Sequence, residues 1–319
     1  MIERHRILVT GARGQVGREL CRVLGPLGDV YASARRRTDI VYQGGAYQEG
    51  AYQDIDLDIT CADAISRVFA EVRPHYVINA AAYTAVDDAE AAPLDAALVN
   101  AEAARYLVNA CERYRTCLVH YSTDYVFDGD GSSPYTETAR TAPLNVYGRT
   151  KREGELAVLA SAIPHLVLRT GWVYAAHGRN FVRTMQRVAR GNNAIQVVAD
   201  QFGTPTWARS LAELTGLLLS KAISYGDAWL NDRQGLYHAC APDYTNWFEL
   251  ACAAIEVVAG PTRAAQVQPI TTDEYPLPAR RPAWSVMDSG ALLTVFGLRL
   301  PPWRVQLAQM LADQEIMAA

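Results

Sequence analysis

Residues 7–17 read ILVTGARGQVG, a short apolar run followed by three glycines. The apolar run predicts a buried strand, and Gly11, Gly14 and Gly17 have the spacing of a strand–turn–helix that binds a dinucleotide. Gly11 permits the tight turn, Gly14 lets a pyrophosphate approach the backbone, and Gly17 lets the helix pack closely against the sheet. The helix start, with Gln15 and Val16, offers unpaired N–H groups to phosphates. Such glycines can also be purely structural, so this prediction depends on the surrounding elements.

Strand-like and helix-like segments alternate after this loop. Apolar runs predict strands at 7–10, 30–32, 76–78, 118–121 and 165–168. Amphipathic periodicity predicts helices at 15–24, 62–72, 96–114 and 146–160. Nearly continuous apolar strands that alternate with helices predict a parallel sheet covered on both faces. We therefore predict an α/β fold, a Rossmann-type doubly wound parallel sheet, over residues 1–170.

The alternation weakens after about residue 170. Helices are predicted at 180–190, 208–224, 246–258 and near the C-terminus, with short strands at 195–198 and 236–239. Thr245 is predicted to cap the third of these helices. Prolines at 276, 278, 282, 301 and 302 indicate docked extended chain over the last fifty residues. We interpret residues 171–319 as mainly a smaller C-terminal substrate-binding lobe, with some segments returning to the Rossmann sheet.

Composition argues against several classes of protein. The 319 residues are 50% hydrophobic, which is enough for a large core, and the net charge of −4 gives no basic excess for nucleic acid or anionic membranes. The six cysteines show no Cys-x-x-Cys spacing, which is typical of reduced thiols. The N-terminus runs directly into a strand, and no stretch is long enough to span a bilayer. We expect a cytoplasmic protein without nucleic-acid or membrane partners.

The residues after the second predicted strand bear on the choice of cofactor. NAD-selective sites place a carboxylate there, whereas this chain has Arg35, Arg36 and Arg37. Guanidinium groups favour a 2′-phosphate, although a solvated basic turn is the structural alternative. We expect NADPH, with NADH as a possible second donor. Asp56 and Leu57, before the second helix, are expected near the adenine edge.

Tyr147 and Lys151 lie four residues apart and so share one helix face. A nearby ammonium favours the phenolate and is expected to move the tyrosine pKa from about 10 toward neutrality. Such a pair also occurs by chance, but here Ser122 and Thr123 stand at the carboxyl end of the fourth predicted strand, where open α/β sheets bind ligands. We expect Thr123 to hydrogen-bond a substrate carbonyl that Tyr147 protonates, with Ser122 as the competing candidate.

The glycine loop, the strand-end hydroxyls and the Tyr-x-x-x-Lys pair together resemble the extended short-chain dehydrogenase/reductase family. Longer strings are similar to those of the dTDP-4-dehydrorhamnose reductase family within it. They are GQVG at 14–17, NAAAYTAVD at 79–87, HYSTDYVFDG at 120–129, PLNVYG at 143–148, RTGWVY at 169–174, NF at 180–181 and DQFGTPT at 200–206. These strings follow the family order, and weaker matches continue to residue 298.

The resemblance implies NAD(P)H-dependent reduction of the 4-keto group of a dTDP-linked 6-deoxy sugar, in dTDP-rhamnose and cell-surface polysaccharide biosynthesis. The residues it implies are Thr123, Tyr147 and Lys151 for catalysis, Asp124, Tyr125, Trp172 and Asn180 for the substrate, and Ala81, Ala82, Tyr83 and Thr84 for the cofactor. Trp172 could equally be a core aromatic residue. Asn100 could support a proton relay behind Lys151, or it could be structural.

Three positions depart from the family pattern. Some members bridge two chains with Mg²⁺ through glutamates; Glu19 fits one position, but Arg209 stands where another glutamate is expected. An arginine cannot be a metal ligand, so we expect no metal site, no requirement for Mg²⁺, and a monomer or weak homodimer. Trp284 replaces a usual asparagine and Ala291 a common lysine, which affects the nucleotide end of the substrate site.

Two alternative functions remain open at this point. A nucleotide-sugar epimerase or dehydratase of the same family would share Tyr147 and Lys151 but retain NAD. Dehydratases usually place an Asp-Glu pair after the threonine, whereas Thr123 is followed here by Asp124 and Tyr125. A non-catalytic regulatory subunit, like that of methionine adenosyltransferase, would keep the fold without the catalytic residues, which are intact here.

Overall fold

The structure is a computed structural model that describes residues 4–34, 52–191, 194–264 and 266–318. Arg35, Arg36 and Arg37, which bear on the choice of cofactor, lie outside these ranges. The strands are β1 His5–Thr10, β2 Gly28–Ala34, β3 Gln53–Asp56, β4 Tyr76–Asn79, β5 Cys117–Thr123, β6 His165–Thr170, β7 Val173–Tyr174, β8 Ile195–Val198, β9 Phe202–Gly203, β10 Thr206–Trp207, β11 Gly235–His238, β12 Thr245–Asn246 and β13 Val267–Ile270.

The helices lie between these strands and after them. They are α1 Gln15–Leu24, α2 Ala62–Val72, α3 Val86–Ala91, α4 Pro93–Ala97, α5 Ala103–Tyr114, α6 Val146–Leu159, α7 Phe181–Ala189, α8 Ala208–Tyr225, α9 Asp227–Asn231, α10 Trp247–Ala264, α11 Gly290–Phe296 and α12 Trp303–Ala318. A π-helical turn, Leu98–Glu102, joins α4 to α5. The predicted helix at 96–114 therefore consists of three consecutive pieces.

Seven parallel strands form the central sheet in the order β11-β6-β5-β4-β1-β2-β3. Apolar clusters cover both of its faces, one packed with α1 and α8 and the other with α2 and α5. The prediction of a Rossmann-type parallel sheet is confirmed. The strand order reverses between β1 and β4, and ligands of such sheets bind beyond the carboxyl ends of the strands near this point.

The second half of the chain both extends this sheet and builds a separate packing layer. Its strand β11 pairs with β6, and its helix α8 packs against α1. The remaining strands form two-stranded pairs, β7 with β10, β8 with β13 and β9 with β12. Another apolar cluster lies among α7, α10 and α12. Among the helices described above, none is long and apolar enough to cross a membrane.

One sequence-based prediction of local structure was wrong, and another held only in part. Thr245 does not cap α10: it lies in β12, and the Asn246 side chain accepts the capping hydrogen bond from the Glu249 N–H. The helix predicted near the C-terminus is α12, but α11 lies within the segment that was interpreted as extended chain. The short elements β3 and α3 were not predicted.

Candidate active site

The glycine loop between β1 and α1 is built by close backbone contacts. Gly11 has a φ of +64°, and a Cβ there would lie 2.7 Å from the Ala81 backbone. A Cβ on Gly17 would lie 2.1 Å from the Gly11 carbonyl oxygen. No acidic side chain stands in the first turn of α1. The loop thus brings unpaired N–H groups of the helix start to a cavity with no carboxylate from that turn to repel an anion.

That cavity, of about 440 Å³, lies at the carboxyl ends of β5 and β6. It brings together most of the residues singled out from the sequence. Its walls include Gly14, Gln15, Val16, Ala82, Thr84, Ser122, Thr123, Asp124, Tyr125, Tyr147, Lys151, Trp172 and Asn180. Gly11, Gly17, Asp56, Leu57, Ala81 and Tyr83 do not line it. Leu57 is buried in the core against α2, and Asp56 ends the edge strand β3.

Tyr147 and Lys151 both project from α6, but their electrostatics differ from expectation. Lys151 Nζ donates to the Tyr121 carbonyl oxygen at 2.6 Å. Burial lowers the Lys151 pKa to about 8, partly offset by the charge of Glu155. Burial raises the Tyr147 pKa to about 12; the Thr123 hydroxyl lowers it and the Asp124 charge raises it. The prediction that Lys151 brings the Tyr147 pKa toward neutrality was therefore wrong here, and Tyr147 is a neutral phenol able to donate a proton.

The two hydroxyls at the end of β5 have different partners. Ser122 Oγ donates to Glu155 Oε2 at 2.8 Å. Thr123 Oγ1 donates to Asp124 Oδ1 at 3.1 Å and accepts from the Tyr125 N–H at 3.2 Å. Both residues reach the cavity wall, but their protons are directed to two different carboxylates.

Asp124 is fully enclosed beside this strand end. Its second oxygen, Oδ2, accepts from Ser285 Oγ at 2.6 Å, so both carboxyl oxygens have hydroxyl donors. Burial raises its pKa to about 6 even though the hydrogen bonds from Ser285 and Thr123 favour the charged form. The sequence did not predict the contact with Ser285, which lies 161 residues further along the chain.

Aromatic rings form part of the wall of the cavity that contains Tyr147. Trp172, which has a φ of +48°, stacks on Trp247 with ring centroids 3.5 Å apart and planes 4° apart. A Cβ on Gly203 would lie 2.4 Å from the Trp172 indole, so a glycine is needed there. Tyr125 meets Tyr147 edge to face at 5.8 Å. The sequence singled out Trp172 but not its partner Trp247.

Two asparagines hold the edges of the cavity in place. Asn180 caps α7, and its Nδ2 donates to Gln15 Oε1 at 2.9 Å, which ties the second half of the chain to the start of α1. Asn100, in the π-helical turn, accepts from the Tyr83 N–H at 2.8 Å and donates to Thr150 Oγ1 at 3.0 Å. These contacts assign Asn100 a role in fixing the backbone at Tyr83, beside the residues expected near the nicotinamide.

A second cavity of about 630 Å³ adjoins the first and shares Tyr125 and Trp247 with it. Its outer wall is the segment from Tyr275 to Arg281. Arg281 donates to both oxygens of Asp87, at 2.9 and 2.6 Å, and so fastens this segment to the start of α3. This pairing, too, was not predicted from the sequence.

Glu19 and the positions that depart from the expected family pattern lie apart from the cavity containing Tyr147. Glu19 is buried and accepts from Arg209 Nε and from His177 Nε2, each at 2.9 Å. Trp284 donates from Nε1 to the Ser133 carbonyl at 2.9 Å, and Ala291 packs against the core of the central sheet. Among the side chains that the structure describes, no group of three or more His, Cys, Asp or Glu is arranged to hold a metal ion.

Comparison with known proteins gives concordant matches over nearly the whole chain. The family model described as RmlD substrate binding domain matches residues 5–316. A dTDP-4-dehydrorhamnose reductase of Burkholderia thailandensis is 43% identical over 313 residues, 97% of this chain and 98% of that relative. A Streptomyces antibioticus protein named probable dTDP-4,6-dihydroxy-2-methyloxan-3-one 4-ketoreductase is 42% identical over 317 residues, 98% of this chain and 96% of that relative.

A solved structure agrees with these relatives. The crystal structure of dTDP-4-dehydrorhamnose reductase from Bacillus anthracis in complex with NADP is similar to this chain with a TM-score of 0.81 at 32% identity. The match covers 97% of this chain and 99% of that one. The similarity therefore extends through both the glycine-loop half and the second half of the chain.

Proposed function

Because the chain belongs to the RmlD substrate binding domain family, we propose that it reduces the 4-keto group of a dTDP-linked 6-deoxy sugar with NADPH. The substrate we propose is dTDP-4-dehydro-L-rhamnose, which would yield dTDP-L-rhamnose. The observation that carries this proposal is the meeting of Thr123, Tyr147 and Lys151 with the glycine-loop residues in one cavity. A proton donor beside a dinucleotide site is the arrangement that carbonyl reduction needs.

The geometry of the glycine loop fits a bound dinucleotide. The close contacts of Gly11 and Gly17 keep side chains out of the turn, and the N–H groups at the start of α1 would hold a pyrophosphate. Ala82 and Thr84 would border the nicotinamide, and Lys151 would bind its ribose. Bound NADPH would supply the hydride. The Bacillus anthracis relative, whose structure is described as a complex with NADP, supports this choice of cofactor.

The protein's own groups would supply the proton and orient the carbonyl. Tyr147 is a partly buried neutral phenol that would donate its proton to the carbonyl oxygen as the hydride arrives. Thr123 would donate a hydrogen bond to the same oxygen and stabilise its developing charge. Lys151, held by the Tyr121 carbonyl, would bind the nicotinamide ribose through its ammonium.

The two cavities support a division of the substrate between sugar and nucleotide. The sugar would lie in the cavity that contains Tyr147, against Tyr125 and the Trp172 indole. The nucleoside diphosphate would extend into the adjoining cavity, whose wall carries Arg280 and Arg281. We accordingly propose residues 1–170 as the cofactor domain and 171–319 as mainly the substrate lobe. A cytoplasmic location and a monomer or weak homodimer stay predictions from the sequence.

The test is an NADPH-oxidation assay across dTDP-linked and UDP-linked 4-keto-6-deoxy sugars, with product stereochemistry determined by NMR. We expect turnover of dTDP-4-dehydro-L-rhamnose to exceed that of its UDP-linked counterpart. Because the name of the Streptomyces antibioticus relative indicates a different dTDP-linked keto sugar, the assay should include that second sugar as well. Protein that binds NADPH but oxidises it with none of these sugars would contradict the proposal and favour a non-catalytic role.

The preference for NADPH has a separate test. Arg35, Arg36 and Arg37 follow β2 in the sequence, where a 2′-phosphate is read in such folds. We expect kcat/KM for NADPH to exceed that for NADH by about tenfold or more, the worth of one charge-assisted contact. Replacing Arg36 and Arg37 by alanine should weaken NADPH and leave NADH nearly unchanged. An equal loss for both cofactors would show that these arginines do not recognise the 2′-phosphate.

A further inference from the structure

The Thr123 hydroxyl carries one proton, and two acceptors compete for it. In the structure it donates to Asp124 Oδ1 at 3.1 Å, while its oxygen already accepts from the Tyr125 N–H at 3.2 Å. Reduction of a carbonyl, as proposed above, requires the same proton at the substrate oxygen. Thr123 therefore cannot serve the substrate and an ionised Asp124 carboxylate at the same time.

The surroundings of Asp124 stabilise its ionised form poorly. The residue is 2% exposed, and a Cβ on Gly171 would lie 2.8 Å from its carboxyl carbon, so the chain packs directly onto it. Its contacts among the described residues are the hydroxyls of Thr123 and Ser285 and nearby backbone N–H groups. Among the residues that the structure describes, no cation pairs with Asp124, whereas the neighbouring Glu155 is paired with Arg169. A buried carboxylate held by hydroxyls alone is readily neutralised.

We propose that Asp124 is a positioning residue that competes with the substrate oxygen for the Thr123 proton and releases that proton when it becomes protonated. The inference rests on the proposed function. The neutral acid donates its own O–H to Thr123 Oγ1, and Thr123 then donates to the substrate carbonyl. Asp124 keeps its proton throughout, so Tyr147 remains the group whose proton is transferred.

The other titratable groups that face Asp124 keep one charge state between about pH 5 and 7: the phenols and the thiol stay neutral and Lys151 stays charged. Tyr125 on the same turn, Tyr147 on α6 and Cys240 after β11 all have pKa values raised by burial. Lys151 in the same cavity has its pKa lowered to about 8. Asp124, with a pKa of about 6, is therefore the member of this group that changes charge between about pH 5 and 7.

The sign of the pH dependence follows from these contacts. Above about pH 6 the carboxylate holds the Thr123 proton, and below it the acid releases that proton. The kcat of the protein should therefore rise as the pH falls through this value. The rise should be about two- to tenfold, the worth of one ordinary hydrogen bond. The KM for NADPH should not follow it, because Asp124 acts on the carbonyl side of the site.

Two substitutions separate this role from a structural one. In Asp124→Asn, the amide N–H can donate to Thr123 while the amide oxygen accepts from Ser285, which imitates the protonated acid. The change in kcat near pH 6 should then disappear. Ser285→Ala removes a donor that favours the charged carboxylate, so the change should move to higher pH. Ser289→Ala, a buried serine on the same segment outside these contacts, is the matched control and should leave the profile unchanged.

The experiment measures kcat and KM from about pH 5 to 8 for the four proteins, with NADPH binding as the check of folding. Infrared spectroscopy of the carboxylic acid C=O stretch, without substrate, should show a group that titrates near pH 6 and is lost in Asp124→Asn.

The inference is overturned if Asp124→Asn keeps the wild-type pH profile, if Ser285→Ala leaves that profile unshifted, or if kcat falls as the pH is lowered through 6. Should Asp124→Asn fail to bind NADPH, Ser285→Ala and the infrared titration decide. Absence of turnover at every pH overturns the proposed function as well, whereas turnover without these shifts overturns this inference alone.

Discussion

Two adjacent hydroxyls at the end of β5 donate to two buried carboxylates that are compensated in different ways. Ser122 donates to Glu155, which accepts from Arg169 Nε at 2.9 Å and from its terminal nitrogen at 2.7 Å. Thr123 donates to Asp124, whose other oxygen accepts from the Ser285 hydroxyl. The first carboxylate has a bidentate guanidinium, the geometry that best stabilises a buried charge. The second has only neutral donors.

This difference explains how neighbouring residues can serve different purposes. A paired carboxylate fixes the Ser122 hydroxyl toward the interior, where it joins β5 to α6. An unpaired carboxylate leaves the Thr123 hydroxyl able to change partner at the cavity wall. The comparison therefore favours Thr123 over Ser122 as the donor to a substrate carbonyl, a choice that the sequence left open.

The largest expected effect tests whether the proton donor is Tyr147, in the cavity beside Thr123. Tyr147→Phe should lower kcat by about 10²–10⁴-fold, the usual contribution of a general acid, because it removes the hydroxyl that donates the proton. The fold and NADPH binding should be retained, since the ring remains against Tyr125. Tyr106→Phe, on α5 and packed against the core, is the matched control. A wild-type kcat in Tyr147→Phe would remove it as the proton donor.

The next effect concerns stability and the paired carboxylate. Arg169→Met removes the bidentate guanidinium from buried Glu155 and leaves it the single contact with Arg152, whose terminal nitrogen lies 3.1 Å from Oε1. The loss should lower the free energy of unfolding by about 1.5–3 kcal/mol, the worth of hydrogen bonds to a charged group. Urea denaturation measures this change. Arg113→Met, an exposed arginine at the end of α5, should shift stability by no more than about 0.5 kcal/mol. If Arg169→Met changes the free energy of unfolding as little as this control does, the guanidinium partner of Glu155 does not contribute to stability.

A paired experiment then sharpens the comparison between the two hydroxyls. Thr123→Val should lower kcat by about 10²–10³-fold, the worth of one preorganised donor to a developing oxyanion. Ser122→Ala should cost about tenfold or less, because it removes one ordinary hydrogen bond behind the site. The measurement is kcat under saturating NADPH and sugar. The reverse order of effects would make Ser122 the carbonyl donor.

Much of the fold could be predicted because its signals are local. The bounds of α1 and α2 are confirmed, since apolar periodicity and flanking loop residues define them within the helices themselves. The edge strand β3 was missed because Ile55 is its only aliphatic side chain and most of its positions are exposed. Thr245 was a reasonable cap by residue type, but strand pairing with Gly203 uses it instead. Tertiary pairing decided both cases.

The same distinction holds within the candidate site. Tyr147 and Lys151 could be brought to one helix face from their spacing alone. The Lys151 contact to the Tyr121 carbonyl could not, because any residue supplies a carbonyl and the sequence carries no mark of it. The contact between Asp124 and Ser285 depends on how a distant segment docks, and no periodicity encodes that. Groups that tune the site thus leave weaker sequence signals than groups that perform its chemistry.

The smallest expected effect is none, and it concerns a third buried carboxylate. Glu19 resembles Glu155 in having an arginine partner: Arg209 Nε donates to it, and another nitrogen of Arg209 donates to Asp313 at 2.7 Å. Burial alone would raise the Glu19 pKa, but the hydrogen bonds from His177 and Arg209 outweigh it and lower the pKa, so the charge is kept and compensated within the chain. Mg²⁺ requires several hard oxygen ligands, and a guanidinium among them repels the ion.

We therefore expect EDTA to leave turnover unchanged and light scattering to give the same mass with and without Mg²⁺. Activity lost on chelation and restored by Mg²⁺ would show that carboxylates beyond the described side chains, such as Glu315, complete a metal site with Glu19.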